Sequence, residues 1–382
     1  MEDFMTAKTP FDKIDSKTSQ CYIPKSELNL LSLCQRKKRM FKRKISFLIL
    51  LFLPQIFFSC AGNKELSSLQ AKLDRFFSKK EVTVAVTDSG LGGLSIVADA
   101  SDRMKKSKIF RDVNFIFFNA LFSNKGGYNS LKTREEKIRI FDSALVSLEK
   151  KYQPDLILIG CNTLSILYDD TSFSQETKIP VVGIVESGVE IIAKNLKAST
   201  DSKAIIFGTQ TTVSEATHKK KLVKRGFLPE RIVTQACPEL VNYIERGYTS
   251  DETEMLIFAY VDEALQKVKN LQKPIYVSLN CTHYGYSLDS WKKAFLSLGV
   301  KPLSFLNPNS KMIDFLFQPQ VQNRFKTTNI SVKVVSMVEI SEEKIDSIGF
   351  WLRKVSSKTA EALKNYDKRP DLFEWEKYVK LE

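Results

Sequence analysis

Short apolar runs alternate with longer stretches of helical spacing from about residue 82 to residue 300. Val82–Thr87, Val113–Phe118, Asp155–Ile159, Pro180–Val185, Lys203–Phe207, Arg231–Gln235 and Ile275–Leu279 are each four to six residues long, rich in Val, Ile, Leu and Phe, and bounded by turn residues. Continuous apolar runs of this length read as strands buried on both faces, as in parallel sheets. Between them, Thr133–Lys151 places Ile138, Phe141, Leu145 and Leu148 on one helical face, and Gly188–Leu196, Ser214–Arg225 and Thr253–Lys269 also read as helices. Regular alternation of strand and helix predicts an α/β fold with parallel sheets. We expect two similar doubly wound lobes with a cleft between them. Residues 81–178 make the first lobe, completed by about 285–320, and residues 179–284 make the second. After about Phe315 the pattern loosens, so 321–382 reads as a charged C-terminal extension without chemistry, although Val332–Ser336 has strand character.

The ends of these strands carry the candidate chemistry. Leu156–Ile159 runs into Gly160-Cys161-Asn162-Thr163, and Ile275–Leu279 runs into Asn280-Cys281-Thr282-His283. Open α/β sheets bind ligands outside the carboxyl ends of their strands. A lone cysteine after a strand is most often an inert core residue. Two of them, each followed by threonine and one by one of only two histidines in the chain, suit a different purpose. Two thiols facing each other across a cleft can take a proton from one face of a carbon and return one on the other. The first strand ends in Asp88-Ser89-Gly90-Leu91-Gly92-Gly93-Leu94, a glycine-rich turn that lets backbone approach closely but fits neither the G-x-G-x-x-G pattern nor the P-loop.

The net charge of +14 changes little in this picture. The first 60 residues hold eleven Lys/Arg against five Asp/Glu, which leaves a mildly basic body and no concentrated nucleic-acid stripe. Arg36–Lys44 is a basic cluster ahead of the apolar stretch Ile45–Phe58, which is too short to span a bilayer and is interrupted by Pro54. Positive flank, short apolar core and Ser59-Cys60-Ala61 have the shape of a secretory signal and resemble a bacterial lipoprotein signal, with Cys60 the lipidated residue. On that reading, residues 1–39 are unstructured or precede a true start at Met40, residues 40–60 are the signal, and 61–80 link the anchor to the body. The protein would then sit on the periplasmic or outer-membrane side as a membrane-anchored lipoprotein, and it would be cytoplasmic if the signal is not used. The six cysteines contain no C-x-x-C pair, and no metal-ligand spacing is present.

Taken together, these turns resemble the glutamate racemase family within the aspartate/glutamate racemase superfamily. The resemblance spans about Val82 to Asp314. Asp88–Leu94 matches the family's first turn, Cys161-Asn162-Thr163 its first catalytic segment and Cys281-Thr282-His283-Tyr284 its second; Ala236-Cys237-Pro238 and Glu245-Arg246-Gly247 echo two more. Departures are Asn119-Ala120 where the family has Asp-Thr, Lys125 in place of tyrosine before Gly126, and Gly285 in place of proline. The resemblance implies cofactor-independent racemisation of a small acidic amino acid, glutamate, supplying D-glutamate for peptidoglycan, with a homodimer as an option. Free cysteine is mostly protonated at neutral pH, so each thiol needs a partner. Asp88 is expected to order or deprotonate Cys161, and His283 to do so for Cys281. Ser89, Gly126, Asn162, Thr163 and Thr282, with Asp88 and His283, are expected to hold substrate; Lys125, Thr209, Thr212 and Glu245 are further candidates. No cofactor is expected. Two other readings stand beside this one: an exported, non-catalytic binding lipoprotein for an acidic amino acid, and an aspartate racemase.

Overall fold

The computed structural model describes residues 68–379. The expectations for residues 1–39, for the signal at 40–60 and for lipidation of Cys60 lie outside the described residues. Residues 68–78, inside the expected 61–80 linker, form a helix whose Phe76 is buried edge-on against Phe110 with ring centroids 5.0 Å apart. That segment is therefore docked on the body by its own apolar face.

Two all-parallel sheets carry the fold. In the first, β1 (Glu81–Asp88) lies between β2 (Asp112–Asn119) and β3 (Leu156–Ile159). It extends through β4 (Val181–Gly183) on one side and through Asn329–Ser336 and Asp367–Lys368 on the other. In the second, β5 (Lys203–Gly208) lies between β6 (Ile232–Ala236) and β7 (Ile275–Asn280), with β8 (Ser304–Leu306) at the edge. The C-terminal strands Asn329–Ser336 and Asp367–Lys368 are β9 and β10. The residues of β3 and β7 are buried throughout, which is why β3 is an uninterrupted apolar run and β7 is largely apolar rather than alternating, broken by Ser278 and ending in Asn280.

Sheet membership differs from the expected division in three places. Val181–Gly183 pairs with β3 and so belongs to the first sheet, not to the second lobe. Residues 304–306, expected to complete the first lobe, instead extend the second sheet beside β7. The first sheet is completed by β9, whose eight residues pair in register with all of β2. The described part of the expected extension, residues 321–379, is therefore no loose tail. The helices Glu342–Arg353 and Ser357–Lys364 bury Ile348, Leu352, Ala360 and Leu363 in the same core as β1 and β2.

In each sheet the chain winds outward in both directions from one central strand. The first reverses between β1 and β3, the second between β5 and β7. Ligand crevices form at such reversals, beyond the carboxyl ends of the strands. The turns that follow these four strands are those of Asp88, Cys161, Thr209 and Cys281.

Candidate active site

The first turn gets its shape from the need for close approach between the lobes. A Cβ on Gly92 would run into Thr282 Oγ1 and stand 2.6 Å from His283 Nδ1 and 2.7 Å from Thr282 Cβ. A Cβ on Gly90 would stand 2.9 Å from Glu245 Oε1 and 3.0 Å from His283 Cε1. Only glycine lets the β1 turn lie directly on the β7 turn. The contact is then closed by polar groups. Thr282 Oγ1 donates to Asp88 Oδ2 at 2.7 Å, and the Ser89 N–H donates to Asp88 Oδ1 at 2.6 Å.

Asp88, Cys161, Cys281, Asn162, Thr163, Thr282, His283 and Glu245 are all buried, and all line one cavity of about 500 Å³. Ser89, Gly126, Lys125 and Thr209 line it too. The two thiols that the sequence paired thus reach a common space from different sheets, and that space is open rather than filled by packed side chains. Thr212 does not line it. It stands behind Thr209, whose hydroxyl caps the helix Gln210–Glu215 and lies 2.9 Å from Thr163 Oγ1 and 3.0 Å from Thr212 Oγ1. Lys125 sits exposed at the mouth.

Each thiol has its own partner set. Cys161 Sγ lies 3.1 Å from Ser89 Oγ, beside Asp88. Burial, reinforced by the Asp88 charge, pushes the Cys161 thiol up to about 12, against the pull of the Ser89 hydroxyl. Burial also raises Asp88 above the usual carboxylate range, although His283, Thr282 and the Cys161 thiol pull it down. An aspartate of raised proton affinity next to a thiol is a fitting proton acceptor for it. Cys281 is pushed well above the ordinary thiol value, chiefly by burial, and its Sγ lies 3.7 Å from His283 Nδ1. The other nitrogen of that ring, Nε2, is 2.8 Å from Glu245 Oε1. Burial alone would raise the Glu245 carboxyl; the His283 ring and the Lys344 ammonium outweigh it and hold it down at about 2.

Asn162 is the clearest candidate for meeting a ligand. Both polar atoms of its side chain are buried without any protein partner, on the wall of the cavity. Buried amides left unpaired cost free energy unless a ligand or water meets them. Among the wall residues outside the expected site set, three carry groups of chemical interest. The Tyr128 hydroxyl is buried and unpartnered, Cys237 is a third buried thiol, and Lys344 reaches in from the helix Glu342–Arg353. Ala236-Cys237-Pro238 was visible as an echo of the family, and Tyr128 sits in the loop after β2. Nothing in the sequence around Lys344 marked it.

The comparisons with known proteins agree with this geometry. A family model for Asp/Glu/Hydantoin racemase matches residues 119–295. Glutamate racemase from Clostridium botulinum is 31% identical over 209 residues, covering 54% of this chain and 73% of that protein. The chain belongs to the glutamate racemase family. Another relative, glutamate racemase 3 from Caldanaerobacter subterraneus subsp. tengcongensis, is 28% identical over 221 residues, 57% of this chain and 72% of that one. Among solved structures, a glutamate racemase from Campylobacter jejuni superposes with a TM-score of 0.54 at 22% identity, covering 71% of this chain and 98% of its own. One from Francisella tularensis in complex with D-glutamate gives 0.54 at 21%, covering 72% and 95%. These structures share the two-lobe racemase fold. Within this glutamate racemase family member, Asp88 on one side and Lys344 on the other lie outside the stretch that the family model matches.

Proposed function

We propose that this protein interconverts L- and D-glutamate by two-base proton transfer at the α carbon, with Cys161 and Cys281 as the two bases. One observation carries the reading: two thiols from different sheets line one cavity, each beside its own proton acceptor. The Cα–H of an amino acid is a weak acid, so placement of the base and preorganised donors must do most of the work. In one direction the Cys161 proton passes to Asp88 and the thiolate removes the Cα proton. The carbanion then takes the proton of the Cys281 thiol on its other face; a proton from solvent, relayed through His283, returns to that sulfur while Asp88 releases its own. The reverse direction exchanges the two roles. Asn162, Thr163, Thr209, Thr282 and Ser89 supply hydrogen bonds for the carboxylates and ammonium of the substrate. The names of the relatives and the D-glutamate complex of a fold neighbour support glutamate as the acid. Circular dichroism on both enantiomers of glutamate and aspartate, with reductant present, tests the assignment; loss of optical activity with aspartate but not glutamate would reverse it.

We also propose export and anchoring through Cys60. The order of basic cluster, apolar core and cysteine in residues 36–60 supports this. A mass spectrum of the mature N-terminus from cells tests it: a diacylated Cys60 supports anchoring, and an intact upstream segment overturns it.

A further inference from the structure

Lys344 stands on the helix that follows β9 of the first sheet, and Glu245 on the helix Leu240–Arg246 between β6 and β7 of the second. The Lys344 ammonium lies 2.7 Å from Glu245 Oε2. The other carboxylate oxygen, Oε1, accepts the Leu91 N–H at 2.8 Å and faces His283 Nε2 at 2.8 Å. The carboxylate is thus held from two directions by groups of the first lobe while it serves a ring in the second. The Glu245 side chain is 4% exposed and that of Lys344 25%, so the ion pair is shielded on the carboxylate side. The Tyr286 hydroxyl donates to Leu91 O at 3.0 Å and fixes the peptide on which Glu245 leans.

We propose that Lys344 is a positioning residue for the Cys281 half of the reaction: by keeping Glu245 ionised, it fixes the proton of His283 on Nε2. An ionised Glu245 can only accept, so Nε2 must donate to it. Nδ1 then presents its lone pair to the Cys281 thiol 3.7 Å away and can receive the thiol proton. A protonated Glu245 would offer a hydrogen to Nε2 instead. The ring would then carry its proton on Nδ1, and the acceptor for Cys281 would be gone. The cation therefore acts through two intervening side chains and touches neither substrate nor sulfur. Its helix lies outside the residues matched by the family model, so this support belongs to the C-terminal part of the chain.

The charged and titratable surroundings of Glu245 are few. His283 and Tyr286 come from the turn after β7, Lys344 from the helix Glu342–Arg353, and Asp88 from β1 across the imidazole. On the helix Asp251–Gln266, which also packs beside Glu245, Glu254 pairs with Lys293 and Glu263 accepts from Gln235. Lys344 is thus the cation paired with this carboxylate among the described residues, and its removal leaves the imidazole and the Leu91 N–H to oppose the cost of burial.

The test uses the whole protein labelled with [15N]histidine, which reports only His218 and His283. In the wild type the His283 nitrogens are expected to show the Nε2–H form at neutral pH. In Lys344→Met that tautomer should give way to the Nδ1–H form at the same pH, and Lys344→Arg should restore the wild-type profile. In parallel, the kinetic isotope effect for Cα-deuterated substrate should rise in Lys344→Met only for the enantiomer whose proton Cys281 removes. An unchanged tautomer profile in a folded Lys344→Met protein would overturn the proposal, as would equal isotope effects for both enantiomers. This inference rests on the two-thiol reading for its kinetic arm only. If the wild type shows no racemisation but Lys344→Met shifts the His283 profile, the assigned activity fails and the role of Lys344 stands.

Discussion

Replacing Gly92 with alanine probes whether the turns after β1 and β7 must touch. The new Cβ would occupy the position of Thr282 Oγ1 and stand 2.6 Å from His283 Nδ1. Thr282 must therefore move, and its hydrogen bond to the buried Asp88 carboxylate at 2.7 Å is lost. A hydrogen bond to a charged group is worth about 1.5–3 kcal/mol, and an extra methyl in a packed site costs about 1–3 kcal/mol. A loss near the middle of the summed ranges lowers Tm by roughly 6 °C in a protein of this size. Displacing His283 and Thr282 by about 1 Å is expected to cut kcat/KM on the order of 100-fold. Gly226→Ala is the control. Gly226 has φ +90° with nothing within 4 Å of its would-be Cβ, so alanine there costs about 1–2 kcal/mol of backbone strain without touching the site. The pair would be compared by thermal melting and by circular dichroism on glutamate. Wild-type kcat/KM in Gly92→Ala, or equal losses in the two variants, would refute the argument that glycine is required for the lobes to meet.

Other consequences can be checked with the same assays. Asp88→Asn should lower kcat by about 100- to 10,000-fold, the usual worth of a positioned acid–base group, yet leave Tm at pH 7 no lower than wild type. The sign follows from burial: the folded carboxyl is raised above its unfolded value, so its ionised form opposes folding at neutral pH. A Tm well below wild type would contradict this. His218 is buried with both ring nitrogens unpartnered, and burial pushes it down to about 4. Its folded value is depressed, so its neutral form favours folding above pH 6.5, and that contribution falls away as the pH drops towards 4. His218→Gln should flatten the loss of Tm between pH 6.5 and 4; an unchanged slope would assign the acid sensitivity elsewhere.

How far the sequence revealed this molecule depended on how local each signal was. The runs ending at Asp88, Cys161 and Cys281 were legible because central parallel strands are apolar on both faces and the turns after them carry the polar groups. The parallel α/β class followed from the same alternation. The partners of those strands were less legible. Val181–Gly183 reads as the start of another unit, yet it closes the edge of the first sheet. Asn329–Ser336 has mixed polarity because Asn329, Ser331 and Lys333 are not buried, so an integral strand looked like a tail. Lys344 was invisible for a different reason. Its meaning comes from Glu245, 99 residues away in sequence, and no local pattern encodes an ion pair across two lobes. Thr212 looked like a site residue because it shares a turn with Thr209, but it supports that residue from behind.

The most direct measurement is incorporation of solvent deuterium at the α carbon by Cys161→Ser and Cys281→Ser, each supplied separately with D- and L-glutamate. The two-thiol account predicts that neither variant racemises and that each exchanges the proton of one enantiomer only, opposite in the two variants. Racemisation by either variant at the wild-type rate, or exchange of both enantiomers by one of them, would contradict it.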